Sequence, residues 1–231
     1  MEEIRIYCEN TGTYEHVPLG STLKQLSDRI CPTIDAKCGC GMSVLAALVD
    51  RKLVSLDYKV INPHNVQFVG YEHPDGRRTY IRSLCFVLQN VVREMYPDKV
   101  LAIDYSLPSG LYCEICEADP MEDGRQRVYF ATDDELQNIE DKMRAIIAAD
   151  MPFSKKMMSL EECCTLFERN GQKEKVTLLK SIGRFNYNVY FLDGQPDTFY
   201  GPLIPSTGLL STFSLMGLND GFCLQYPMDR E

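Results

Sequence analysis

Ten cysteines are the residues of this chain with the widest chemical reach, since a thiolate can hold a metal or attack an electrophile. Cys38-Gly39-Cys40 and Cys113-x-x-Cys116 could together offer four thiolates to a structural Zn²⁺. The spacing argues against it. Cys113 and Cys116 fall in a predicted strand, where positions three apart point to opposite faces, whereas a zinc knuckle needs a turn that brings both thiols round. Cys163 and Cys164 are adjacent in a helical pattern, and Cys8, Cys31, Cys85 and Cys223 sit among apolar neighbours. Buried free thiols are the better reading, with no metal site. His16, His64 and His73 are too scattered for a His-rich metal site or a triad.

Nucleotide chemistry of the common kind calls for glycines that let backbone N–H groups approach phosphates, together with a lysine. No G-x-x-x-x-G-K-S/T occurs, and Gly39-Cys40-Gly41-Met42 lacks both the spacing and the Lys. Nor is there a G-x-S-x-G elbow, an H-E-x-x-H helix or an EF-hand loop. The carboxylate pairs Asp133-Asp134 and Glu161-Glu162 open helices, where they complement the dipole. One loop remains, Gly201-Pro202-Leu203-Ile204-Pro205-Ser206-Thr207-Gly208, held in φ at two prolines and ending in small hydroxyls. With Phe199 and Tyr200 before it and Phe213 after, it could form one wall of a pocket or serve as a structural turn.

The elements that would position these residues read as follows. Ile4 to Cys8 and Tyr14 to Pro18 alternate as a hairpin about Asn10-Thr11-Gly12. Thr22 and Gln25 have capping-box spacing and open a helix that Pro32 is expected to stop. Strands follow at Ser43 to Asp50, Leu53-Val54 and Val66 to Val69. Glu72-His73-Pro74-Asp75-Gly76 is turn-rich and reads as a junction between domains. Beyond it Leu84, Leu88, Val91, Val92 and Met95 line one face of a helix ending before Tyr96-Pro97. Val100 to Tyr105, Gly110 to Cys116 and Val128 to Phe130 are predicted strands. Thr132 with Glu135 and Ser159 with Glu162 open two more capped helices, the second closed at Asn170-Gly171. Asn188 to Leu192, Leu209 to Leu215 and Gly221 to Tyr226 complete the strands. This order makes the fold α+β, with domains expected at 1–71 and 72–231.

The chain of 231 residues carries 24 Lys+Arg against 33 Asp+Glu, a formal charge of −9. That balance disfavours a phosphate backbone as partner. No apolar run reaches the length of a membrane span, and no signal sequence precedes Met1-Glu2-Glu3, so a cytoplasmic location with reduced thiols and no membrane partner is expected.

Two resemblances bear on these residues. Gly20-Ser21-Thr22-Leu23 and Leu53 to Tyr58 are similar to the TGS domain, a small β-grasp module, over residues 1–71. Val92 to Asp98, Gly110 to Glu114, Asp133 to Pro152 and Pro205-Ser206-Thr207-Gly208 resemble the second additional domain of threonyl- and alanyl-tRNA synthetases, over residues 72–231. In those enzymes that domain hydrolyses mischarged tRNA through H-x-x-x-H and C-x-x-x-H. The resemblance places those four positions at Arg82, Phe86, Phe199 and Leu203, none of which can ligate a metal. It therefore implies a retained fold with no catalytic residues and no metal site.

The same pair of modules, with Tyr80-Ile81-Arg82-Ser83, also resembles the N-terminal region of bacterial uridine kinases. That likeness implies a fragment ahead of a P-loop kinase domain in the same polypeptide, which would bind ATP and Mg²⁺ and phosphorylate uridine. Residues 1–231 would then be a non-catalytic accessory region without a cofactor of its own. Their pocket at Arg82, Phe86, Phe199, Tyr200, Leu203, Ser206 and Thr207 would be either vestigial or a regulatory nucleotide site. Arg82 there would pair with a phosphate or carboxylate while the aromatics stack a base, or be satisfied by a neighbouring carboxylate. The competing readings are a tRNA- or RNA-associated relative of the editing domain without metal-dependent hydrolysis, and a module that forms a homodimer. Arg77-Arg78 with Arg82, and Lys155-Lys156, are the small basic clusters available to the first of these.

Overall fold

The computed structural model describes residues 2–38, 43–118 and 127–227, with side chains for all but 31–38 of these. The Cys38 and Cys40 thiols, the Gly39–Met42 turn and the residues after Pro227 lie outside the described residues. Backbone packing groups the chain into two compact units, Met1–Arg82 with Pro152–Ser206, and Ser83–Met151 with Thr207–Glu231. The fold is α+β, with three sheets among the described residues.

In the first unit, β1 (Glu3–Cys8) and β2 (Thr13–Pro18) form the expected hairpin. Helix α1 (Leu23–Cys38) follows, then β3 (Ala46–Val49), β4 (Lys52–Val54) and β5 (Asn65–Val69). The sheet order is β2-β1-β5-β3-β4 with β1 parallel to β5, a β-grasp arrangement. Alternation along the strands sends Ile6, Cys8, Val17, Val66 and Phe68 to one face, where Leu23, Leu26 and Ile30 of α1 meet them. Thr22 and Gln25 cap one another as predicted, each backbone N–H donating to the other's side chain. Pro32 does not stop the helix, which continues to Cys38. A proline costs its helix one N–H and crowds the preceding turn, but its φ is helical, so the ladder continues beyond it.

Of the turn-rich stretch Glu72 to Gly76, Glu72 and His73 lie in a turn and Pro74 opens a long helix, α2 (Pro74–Met95). Pro74 occupies the first helical position, where its missing N–H costs nothing, and the His73 ring accepts the Asp75 N–H at 3.1 Å. Gly76 is required by packing, since a Cβ there would lie 1.8 Å from the Gly70 carbonyl oxygen. The first unit, which takes α2 as far as Arg82, also comprises β9 (Ser154–Ser159), α4 (Leu160–Arg169), α5 (Lys173–Ile182), β10 (Asn186–Leu192) and β11 (Gln195–Thr198), in a sheet ordered β11-β10-β9. Cys163, Phe167, Val176, Leu179 and Val189 form its core. Ser159 and Glu162 make the predicted capping box, and α4 ends at Asn170 with Gly171 beyond it.

The second unit contains β6 (Lys99–Leu107), β7 (Gly110–Glu117), β8 (Val128–Tyr129), α3 (Asp133–Ala148), β12 (Ser214–Leu218) and β13 (Gly221–Gln225). Its sheet is ordered β12-β13-β7-β6, with β8 added beside β7. The capping box at Thr132 and Glu135 opens α3, whose Leu136, Ile139 and Met143 are buried together with Ile115, Phe222 and Leu224. The strand expected from Leu209 begins only at Ser214. Thr207–Leu209 forms a 3₁₀ turn instead, because the Thr207 hydroxyl is drawn into the end of α3. Among the described residues no helix is long and apolar enough to cross a membrane.

Candidate functional site

A cleft of about 300 Å³ opens in the first unit where α5 leads into β10 and the chain leaves β11. Strand alternation turns Asn186 and Asn188 outward on either side of buried Tyr187. The Tyr187 hydroxyl accepts the Arg184 backbone N–H at 3.0 Å and donates to the Leu179 carbonyl at 2.8 Å. Pinned in this way, Arg184 places its guanidinium 5.9 Å from the centre of the Tyr200 ring. Tyr200 is 69% exposed and neighbouring Phe185 is 91% exposed. Lys175 reaches the buried Asp197 carboxylate, which also accepts the Thr198 N–H at 2.6 Å. Leu178 and Ile182 supply apolar lining.

The Gly201–Pro205 loop leads away from the cleft, which Gly201 still lines. Gly201 has φ +120°, and a Cβ there would stand 3.1 Å from the Arg82 guanidinium, so glycine lets the cation lie against the backbone. Arg82 donates from Nη1 to the Pro202 carbonyl at 2.5 Å. Burial pushes the Tyr190 phenol up to about 12, which keeps it protonated, and it donates to the Gly201 carbonyl at 3.3 Å. Its ring meets Phe199 edge-on at 6.2 Å.

Of the residues expected from sequence, Arg82, Phe199, Tyr200 and Leu203 thus lie on or beside this loop, with Leu203 buried. Ser206 bridges to Pro152. Phe86 and Thr207 belong to the second unit, where both are fully buried. The Thr207 hydroxyl is committed to backbone groups, donating to Ile146 and accepting from Met151 at 2.8 Å each. Arg184, Asn186 and Asn188 were not expected. Their signal in the sequence is the run from Lys173 to Asn188, in which Lys173, Lys175, Lys180 and Arg184 face one acid, Glu174, and Phe185 and Tyr187 interleave. In each of the two basic clusters read from the sequence one cation is ion-paired, Arg78 with Asp75 at 2.5 Å and Lys155 with Asp57 at 2.9 Å.

The described thiols do not form a reactive group. Cys8, Cys85, Cys113, Cys116, Cys163, Cys164 and Cys223 are buried and unbridged, and burial raises Cys113, Cys116 and Cys163 above the ordinary thiol value. Among the described residues no three His, Cys, Asp or Glu side chains come together as a metal site would need. What the cleft offers is a ring to stack on, amides to meet the edges of a base, and the Arg184 cation for phosphate.

No family model matches the chain. It is 28% identical over 217 residues to the threonine-tRNA ligase of Carboxydothermus hydrogenoformans, covering 94% of this chain and 30% of that enzyme. The threonine-tRNA ligase of Desulforamulus reducens is 26% identical over 208 residues, 90% of this chain and 30% of the enzyme. That of Haloquadratum walsbyi is 26% identical over 211 residues, with 91% and 30% covered. The chain thus spans about 30% of the length of these relatives.

These similarities correct the uridine kinase resemblance and the accessory-region function drawn from it, since the relatives are threonine-tRNA ligases. The downstream kinase domain falls with that reading, and ATP and Mg²⁺ were its ligands alone. The expectation against nucleic acid is corrected too. A net charge is a sum over the whole molecule, whereas phosphate contacts depend on where cations cluster.

Proposed function

We propose that this region is a tRNA-associated relative of the synthetase editing domain that binds the 3′ end of tRNA and does not hydrolyse it through a metal. The observation that carries this reading is the alignment with threonine-tRNA ligases over nine-tenths of the chain. The cleft supports it chemically. A terminal nucleotide would stack on Tyr200, meet Asn186 and Asn188 with its base edge, and place its phosphate near Arg184. At the four positions that the editing-domain resemblance assigns to metal ligands stand Arg82, Phe86, Phe199 and Leu203. Arg82 has no lone pair to give and the others have no donor atom, so no water is activated there. A cytoplasmic location accompanies a tRNA partner.

The test is to incubate tRNA specific for threonine, mischarged with serine, with the protein in the presence and absence of Zn²⁺. The ester is expected to decay at the rate seen in buffer alone under both conditions. Zinc-dependent deacylation would overturn the reading.

A further inference from the structure

The outer face of the β-grasp sheet carries side chains that the cleft does not use. Where Ile6, Cys8 and Val17 point inward, the alternate positions Arg5, Tyr7 and Tyr14 point outward from the adjacent strands β1 and β2. Tyr7 and Tyr14 are direct cross-strand partners, with ring centres 5.1 Å apart and planes at 59°. The Arg5 guanidinium lies 4.4 Å from the centre of the Tyr14 ring. Tyr7 is also in register with Asn65 of β5. Together with His64 and Asp50 these residues border a shallow depression of about 190 Å³.

The depression is a fixed feature. His64 Nδ1 meets Asp50 Oδ2 at 2.6 Å, and Asp50 Oδ1 accepts the Asn65 N–H at 2.9 Å. That backbone hydrogen bond first, and His64 second, hold the Asp50 carboxyl below its ordinary value. Both carboxylate oxygens therefore face donors, which lessens their repulsion of an incoming phosphate. Tyr14 remains 61% exposed, so the aromatic pair presents ring surface to solvent. An open sheet face with adjacent aromatics and a cation matches the way single-stranded nucleic acid is held, with bases on rings and phosphate on arginine.

We infer that this face binds a single-stranded RNA segment through base stacking on Tyr14 and Tyr7, with Arg5 at the phosphate. This surface is separate from the Tyr200 cleft and does not depend on the cleft's assignment.

The experiment titrates a short fluorescently labelled single-stranded RNA into the full chain carrying Arg184→Ala and Tyr200→Ala, so that the cleft contributes nothing. Binding is expected to persist in that background. Adding Tyr14→Ala should weaken it about 5-fold or more, as loss of one stacked base does, while Tyr14→Phe retains it. Arg5→Ala should flatten the salt dependence by roughly one phosphate contact. A duplex RNA of the same length, whose bases already stack on each other, should bind more weakly. No binding in the cleft-deficient background, an unchanged affinity on Tyr14→Ala, equal binding of the duplex, or equally tight binding of a free mononucleotide would each overturn the inference.

Discussion

Tyr200→Ala is expected to weaken tRNA binding by roughly 5- to 10-fold, the scale of losing one aromatic stacking platform. The ring is 69% exposed and contributes little to a core, so the variant should melt with the native protein, and the loss should appear in affinity alone. Tyr200→Phe should restore most of it, because the π-face rather than the hydroxyl does the stacking. Arg184→Ala tests the other half of the arrangement. Its guanidinium lies over the same ring, 5.9 Å from the centre, and its removal should lower both affinity and the steepness with which salt weakens binding. Anisotropy titrations at about 50 and 200 mM salt measure both effects.

Thr207→Val should destabilise the fold by about 2–4 kcal/mol, because a buried hydroxyl that serves two backbone groups is replaced by a methyl of the same shape. Thr207 is fully buried. Its hydroxyl donates to the Ile146 carbonyl in the last turn of α3 and accepts the Met151 N–H, while its own N–H donates to the Met151 carbonyl. Carbonyls at a helix C-terminus have no partner within the helix, so Val would leave one of them and one N–H unsatisfied. Urea unfolding should show a lower midpoint with an unchanged slope. Thr207→Ser, which keeps the hydroxyl, should lose far less.

Thr207 and Tyr200 also mark how far the site could be read before folding. The Gly201 to Gly208 loop is marked in the sequence by its two prolines, and of the aromatics flanking it Phe199 and Tyr200 line the cleft, whereas Phe213 belongs to the second unit. Residue types could not reveal that Thr207 is committed to the end of α3 rather than to a ligand, since that depends on where a distant helix stops. Arg184 and the two asparagines escaped notice because α5 has no side-chain cap at Gln172 and shows only Val176 and Leu179 as buried positions. Without that helix, the basic run after Lys173 had no face to lie on. β9 was missed for a related reason. Ser154–Ser159 is mostly exposed and has no alternation, and it is a strand because β10 pairs with it from Ser154 to Ser159.

Local signals served better. The three capping boxes at Thr22, Thr132 and Ser159 each begin a helix at the next residue, because reciprocal side-chain to backbone bonds are determined within four residues. The effect of a proline, by contrast, depends on its place in the element. Within α1 a single lost N–H is outweighed by the helix face packed on the β-grasp sheet, and at Pro74 the proline opens α2 instead of breaking the chain.

The most direct measurement compares the affinity of the protein for an intact tRNA with its affinity for the same tRNA stripped of its 3′-terminal nucleotides. The account predicts that the intact molecule binds several-fold more tightly, and that the difference disappears in Tyr200→Ala. Equal affinity for the two tRNAs in the native protein, or no binding to either, would contradict it.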